Sequence, residues 1–235
     1  EIYPAVDGSD TADPRIAPPA SKLEAVSYEE MLELASYGAK VMHPRAVELG
    51  AVFNVPILVA SSFSEAPGTL IGGASMMEQR NKVTGIAADT DVARITLRGV
   101  PDQPGIAARL FEPLAEAGIS VDTIVQNASV ERLTDLTFTV ARAEVERAME
   151  IVKPVAAAIG APEALADTHL AKVSVVGAGM QSGPGYASRM FRTLYEAGIN
   201  IELITTSEIR ITCLIDESQV PVAVRALHKA FELEG

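Results

Sequence analysis

Apolar positions in this 235-residue chain change period from one stretch to the next, and the period predicts the element. Met31, Leu32, Leu34 and Ala35 recur at helical spacing, and Ser27 with Glu30 three positions on forms a capping box ahead of them, so a helix runs from there until Gly38. A second helix begins near His43-Pro44-Arg45, because proline suits a first helical turn, and ends at Gly50. Val55-Pro56-Ile57-Leu58-Val59 is a short apolar run between turn signals, as expected of a buried strand. Helices alternating with strands predict a layered α/β unit over residues 1–75. Later, strict alternation in Leu136-Thr137-Phe138-Thr139-Val140 and in Ile209-Arg210-Ile211-Thr212-Cys213-Leu214-Ile215 predicts half-buried strands. Residues 72–81, with glycines, polar residues and a pair of methionines, read as a linker.

Beyond that linker the pattern repeats. Arg94-Ile95-Thr96-Leu97-Arg98-Gly99 matches Lys172-Val173-Ser174-Val175-Val176-Gly177, and Pro104-Gly105-Ile106-Ala107 matches Pro184-Gly185-Tyr186-Ala187. Glu116-Ala117-Gly118-Ile119 likewise matches Glu196-Ala197-Gly198-Ile199. Matching residues lie 78 apart at Gly99 and Gly177 but 80 apart at Gly105 and Gly185, so the second loop is two residues longer. A duplication on this scale means two equivalent modules, each reading βαββαβ in the ferredoxin-like manner. They span residues 82–160 and 165–235, and a strand over 82–88 can complete the second instead of the first. The fold class is therefore α/β followed by α+β. The later helix of the first copy is expected over 144–152, stopping before Pro154, and that of the second over 217–231. Pro113 should kink the first copy's earlier helix, at a cost of about 3 kcal/mol.

Charge and composition narrow the function. A net charge of −12 repels a phosphate backbone, so nucleic acid is not an expected partner. No apolar stretch reaches bilayer-spanning length and no signal pattern opens the chain, which favours the cytoplasm and no membrane partner. The chain starts without Met inside an apparent strand and turn, as in a fragment or processed subunit. Cys213 falls in a strand pattern and reads as a core thiol. His43, His169 and His228 are scattered without a ligand cluster, so no metal site is expected.

The duplicated loops carry the candidate chemistry. A free amino acid brings a carboxylate and an ammonium close together. Unpaired N–H groups at a helix start suit the first, and a side-chain carboxylate suits the second. Asp102 stands just before Pro104-Gly105, where a helix starts and a missing side chain admits a ligand to the backbone. The same residues fit a plain helix-entry turn with a solvated cap equally well. The second copy has Met180-Gln181-Ser182-Gly183 there and no acid, so the two mouths should differ.

Val176-Gly177-Ala178-Gly179-Met180, Gly198-Ile199-Asn200-Ile201-Glu202, Thr206-Ser207-Glu208-Ile209-Arg210-Ile211 and Val125-Gln126-Asn127 together resemble the regulatory end of bacterial aspartokinases, which is built of ACT domains. Val6-Asp7-Gly8, Thr11-Ala12-Asp13-Pro14-Arg15 and Ser27-Tyr28-Glu29-Glu30-Met31-Leu32-Glu33-Leu34-Ala35 resemble the later part of their kinase domain. The resemblance implies a partial amino-acid-kinase domain and two ACT domains. It implies ATP-dependent phosphorylation of the aspartate side chain, with ATP and magnesium used by the complete enzyme and lysine or threonine as feedback effectors. By the same resemblance a threonine-type site between paired ACT modules uses Asp102, Gly105, Ala107 and Gln126 from one copy and Asn200, Ile201 and Glu208 from the other. A lysine-type site uses Asp122 and Ser129 near the partner's Ala187. ATP contacts carry over to Arg15, Lys40, Val41 and, weakly, Asp10.

Pro4-Ala5 stands where the family has Thr-Asp, and Asp10 where it has Tyr, so nucleotide contacts should be poorer here. The family's aspartate-binding half has no counterpart in this sequence, and no complete catalytic set is expected. The alternative is a non-catalytic, β-type regulatory subunit. ACT modules pair along open sheet edges, so either a homodimer or a complex with a catalytic subunit is expected.

Overall fold

The computed structural model describes residues 1–73, 83–127 and 132–234. It divides into two compact units: Glu1–Asp89 with Lys172–Gly235, and Thr90–Ala171.

The first unit opens with β1 (Ala25–Ser27), α1 (Tyr28–Ser36), α2 (Pro44–Val52), β2 (Ile57–Val59) and β3 (Thr69–Gly72), the strands ordered β1-β3-β2. β1 runs parallel to β3 and β2 antiparallel to it. Both halves of the capping box form: Ser27 Oγ accepts from the Glu30 N–H, and Glu30 accepts from the Ser27 N–H. Helix α2 is capped by His43, whose Nδ1 accepts from the Arg45 N–H, and it runs past Gly50 to Val52. Gly50 packs close to β2, where a Cβ would stand 2.7 Å from Ile57 Cδ1. Val55 and Pro56 fall outside β2 and are exposed, as a strand has no use for a residue without an N–H. Met31, Leu34, Val47, Val59 and Ile71 fill the core between the helices and the sheet. Within the predicted linker, Gly72 ends β3, and residues 74–81 lie outside the described part. The strand that follows is β4 (Gly85–Asp89).

The second unit contains β5 (Ala93–Pro101), α3 (Ile106–Glu116), β6 (Ile124–Gln126), β7 (Leu133–Val140), α4 (Val145–Ile159) and β8 (Glu163–Asp167). Its antiparallel sheet has the order β6-β7-β5-β8, the ferredoxin-like arrangement. Ile95, Leu97, Leu110, Leu114, Leu136, Phe138, Val152 and Ala156 form its core. A bulge between Leu97 and Val100 bends the end of β5. Gly99 there has φ +61° and donates its N–H to Asp135 Oδ1 at 2.9 Å.

Helix α4 does not stop before Pro154, as the sequence suggested, but continues to Ile159 and ends at Gly160 with φ +82°. Pro154 lies on the exposed side, as does Glu150, whose carbonyl loses its donor to the proline, so that carbonyl can turn to water. The extra turn buries Ala156 and Ile159, which offsets the missing hydrogen bond. Pro113 likewise sits inside α3 without ending it.

The rest of the first unit is β9 (Leu170–Val176), α5 (Tyr186–Glu196), β10 (Leu203–Thr206), β11 (Arg210–Asp216) and α6 (Val220–Ala230). A 3₁₀ turn at Glu217–Gln219 precedes α6, so the last helix starts later than its predicted 217. Here the sheet order is β10-β11-β9-β4. The fourth strand is β4, which precedes the whole first copy in the chain and pairs from Gly85↔Val176 to Asp89↔Lys172. Hydroxyls of Ser174 and Thr212 meet at 2.7 Å inside this sheet. Among the described residues no helix is long and apolar enough to cross a membrane.

Candidate functional site

In the first copy, register brings the C-terminal ends of β5 and β6 and the start of β7 to one end of the sheet, through Pro101↔Leu133 and Gln126↔Leu136. Helix α3 begins there. Its N-cap is Gly105 at φ +88°, a conformation L side chains resist, and no side chain caps the helix. The Ile106 N–H reaches the Gln103 carbonyl at 3.4 Å, and among the described residues no side chain takes the other first-turn N–H groups at this positive dipole end. Asp102 is exposed; its N–H donates to the Arg132 carbonyl at 2.8 Å, and its carboxylate takes no hydrogen bond among the described residues. It is thus not a helix cap. Ala107 is exposed on the first turn of α3, and Gln126 is exposed at the end of β6. Asp122 is exposed farther along, donating its N–H to the Thr139 carbonyl. Ser129 lies outside the described residues.

The second copy builds the same end differently. Gly185, at φ +104°, precedes α5, again with no side-chain cap. The longer loop forms a 3₁₀ turn, Ala178–Ser182, that tucks Met180 in to 8% exposure. The Gly177 N–H donates to the Ile209 carbonyl at 2.9 Å, tying this loop to the β10–β11 hairpin. Gln181 Nε2 donates to Glu208 Oε2 at 3.3 Å, and Asn200 Nδ2 donates to Glu202 Oε1 at 3.0 Å. Ala187 and Ile201 are half-buried. Glu208 thus sits on the β10–β11 hairpin beside the second mouth, whereas Asn200 and Ile201 lie on the α5–β10 loop at the other end of that sheet; Asp102, Gly105, Ala107 and Gln126 gather at one end of the first copy's sheet.

Sequence reasoning missed the polar contacts that surround the second mouth. Glu30, read only as half of a capping box, also accepts from Thr84 Oγ1 at 2.5 Å and from the Ala178 N–H at 2.9 Å, and the residue is buried. Glu33, one turn along α1, accepts from Arg210 Nε at 2.8 Å and from Ser207 Oγ at 3.3 Å. Arg210 stacks 3.9 Å above the Tyr37 ring and donates to Thr212 and Thr205. The available signal was the i, i+3 acidic pair on one helix face. A second link joins His228 Nε2 to Thr11 Oγ1 at 2.8 Å, and burial lowers the His228 pKa.

Around the expected nucleotide loop, Arg15 turns back on Asp13, with Nε to Oδ1 at 3.0 Å and Nη2 to Oδ2 at 2.7 Å. Those bonds, with a smaller contribution from the charge of Lys40, hold the Asp13 carboxyl below its ordinary range. Lys40 is exposed and Val41 half-buried. Asp10, whose backbone pairs antiparallel with Lys22, has its pKa raised chiefly by burial. Cys213 is buried in β11 and pushed up to about 12 by desolvation, which makes it an inert core thiol.

The ACT domain family model matches residues 95–154 and 173–231, and the amino acid kinase family model matches residues 1–61. The aspartokinase of Pseudomonas aeruginosa is 50% identical over 237 residues, covering 100% of this chain and 58% of that protein. The chain thus spans little more than half the length of that relative. The crystal structure of the regulatory subunit of aspartate kinase from Thermus thermophilus, in a ligand-free form, is 45% identical, with a TM-score of 0.61. It covers 64% of this chain and 99% of the subunit. Clostridium acetobutylicum aspartate kinase shares the fold, at a TM-score of 0.88 and 23% identity over 97% of this chain and 53% of that one.

Proposed function

The chain belongs to the ACT domain family, with an amino acid kinase segment ahead of its two ACT copies, and from that premise we propose that it is the amino-acid-sensing part of an aspartate kinase. The whole enzyme would transfer a phosphoryl group from ATP, with magnesium, to the side-chain carboxylate of aspartate. This part would bind lysine or threonine and report end-product level. The carrying observation is Asp102: an exposed carboxylate without a partner among the described residues, beside a helix start that no side chain caps. A zwitterion complements both features, its carboxylate on the α3 N–H groups and its ammonium on Asp102. In the second copy Glu208, on the β10–β11 hairpin, offers the carboxylate at the mouth, while Asn200 offers a donor–acceptor amide at the opposite end of β10.

Titration calorimetry with L-threonine and L-lysine tests this. At least one should bind saturably, and Asp102→Ala or Asn200→Ala should weaken it by roughly 10- to 100-fold, the equivalent of one charge-assisted hydrogen bond. Equal affinity in both variants removes the assignment.

A second reading, a regulatory subunit acting on a separate catalytic chain, is favoured by the nucleotide loop. Pro4 and Ala5 supply no polar side chain, Asp10 adds a carboxylate, and Arg15 is already bound to Asp13. In this reading the chain forms a homodimer or a complex through its ACT sheets.

A further inference from the structure

We infer that Glu30 and Glu33 of α1 are positioning residues that read the state of the second copy's mouth into the kinase-like segment. The inference rests on the amino-acid-sensing reading and deepens it by naming the lever. Two loops frame that mouth: the β9–α5 loop with Ala178, and the β10–β11 hairpin with Ser207. Each is gripped by one carboxylate of a single helix, Glu30 on the Ala178 N–H and Glu33 on Ser207 and Arg210. The Gly177-to-Ile209 backbone bond joins the two loops, so they shift together.

Burial makes the grip discrete instead of elastic. Glu30 is 6% exposed and also receives Ser27 and Thr84, so moving Ala178 leaves part of a buried carboxylate without its donor. The Arg210 side chain is 10% exposed and is held between Glu33, Tyr37 and two threonines. A surface pair would contribute little, whereas these contacts are either made or lost. Because Glu30 also caps α1, a change at the loop acts on the start of that helix, and through it on the packing of Met31 and Leu34.

The test is hydrogen exchange across residues 28–36 in the full chain, with and without saturating L-threonine or L-lysine, alongside calorimetry. The ligand that binds should change exchange of α1 by at least about threefold, a coupling of about 0.65 kcal/mol. Glu33→Ala keeps a good helix former and leaves Arg210 its Tyr37 and threonine contacts. It should bind that ligand within about threefold of the wild type while losing the α1 response. Glu30→Gln preserves the capping box and should reduce the response. A purely structural contact would alter exchange without ligand and leave the ligand-induced difference intact, and that result overturns the inference. Binding to the wild type with no change across 28–36 overturns it as well, while the sensing reading stands. If neither amino acid binds the wild type, the sensing reading fails and the inference with it.

Discussion

The two ACT copies share a sheet order and a left-handed glycine before their first helix, yet one is self-contained and the other is built into its neighbours. The first closes its sheet with β8, its own last strand. The second borrows β4 from ahead of the first copy, hangs its loops on Glu30 and Glu33, and links α6 to Thr11 through His228. A duplicated sequence thus yields one module closed by its own strands and one hydrogen-bonded to the kinase-like segment. The difference lies in what surrounds the fold, since the fold itself is the same.

The sharpest way to break this comparison is to empty a core on one side only. Phe138 is fully buried and meets Phe111 edge-on at 5.2 Å, so Phe138→Ala should cost the second unit about 3–5 kcal/mol. Hydrogen exchange should accelerate across residues 90–171 and remain slow across 172–234; uniform acceleration would show that the first copy is not independent. A smaller effect is expected at the shared glycine. Nothing lies within 4 Å of a Cβ at Gly105 or Gly185, so alanine at either meets only the left-handed backbone penalty, roughly 1–2 kcal/mol. Chemical denaturation should give near-equal losses, and a much larger one at either position would mean that crowding sets the loop.

The least effect comes from pH and separates the units again. His228 is lowered by burial, so the unfolded chain binds its proton first, near pH 6.5. The stability it contributes is complete above that pH and is lost as pH falls toward the folded-state pKa. Burial, with Nδ1 left without a partner among the described residues, disfavours the protonated ring and outweighs the opposing charge of Glu234. Exchange in the first unit should quicken between pH 7 and 5 relative to a His228→Gln variant, whose side chain does not titrate; parallel profiles would remove His228 from the link.

Much of this was written locally. Ser27 and Glu30 announced α1, His43-Pro44 announced α2, the alternation at 136–140 and 209–215 announced two strands, and the Pro-Gly pairs marked both helix mouths. Asp102 was legible as a candidate because its chemistry needs only its place before a helix. The contacts of Glu33 and Arg210 were not: an acid on an amphipathic helix and an arginine at a polar strand position look like solvated residues until the elements pack.

The sequence by itself determined the periods, caps and stops, and with them the duplication, because those signals act between residues a few positions apart. Tertiary structure alone decided that β4 serves the second copy, that α4 continues through Pro154 to bury Ala156 and Ile159, and that one carboxylate of α1 lies buried against Ala178. Each depends on burial and hydrogen bonding between segments far apart in the chain, where the free energy of the packed whole outweighs local preference.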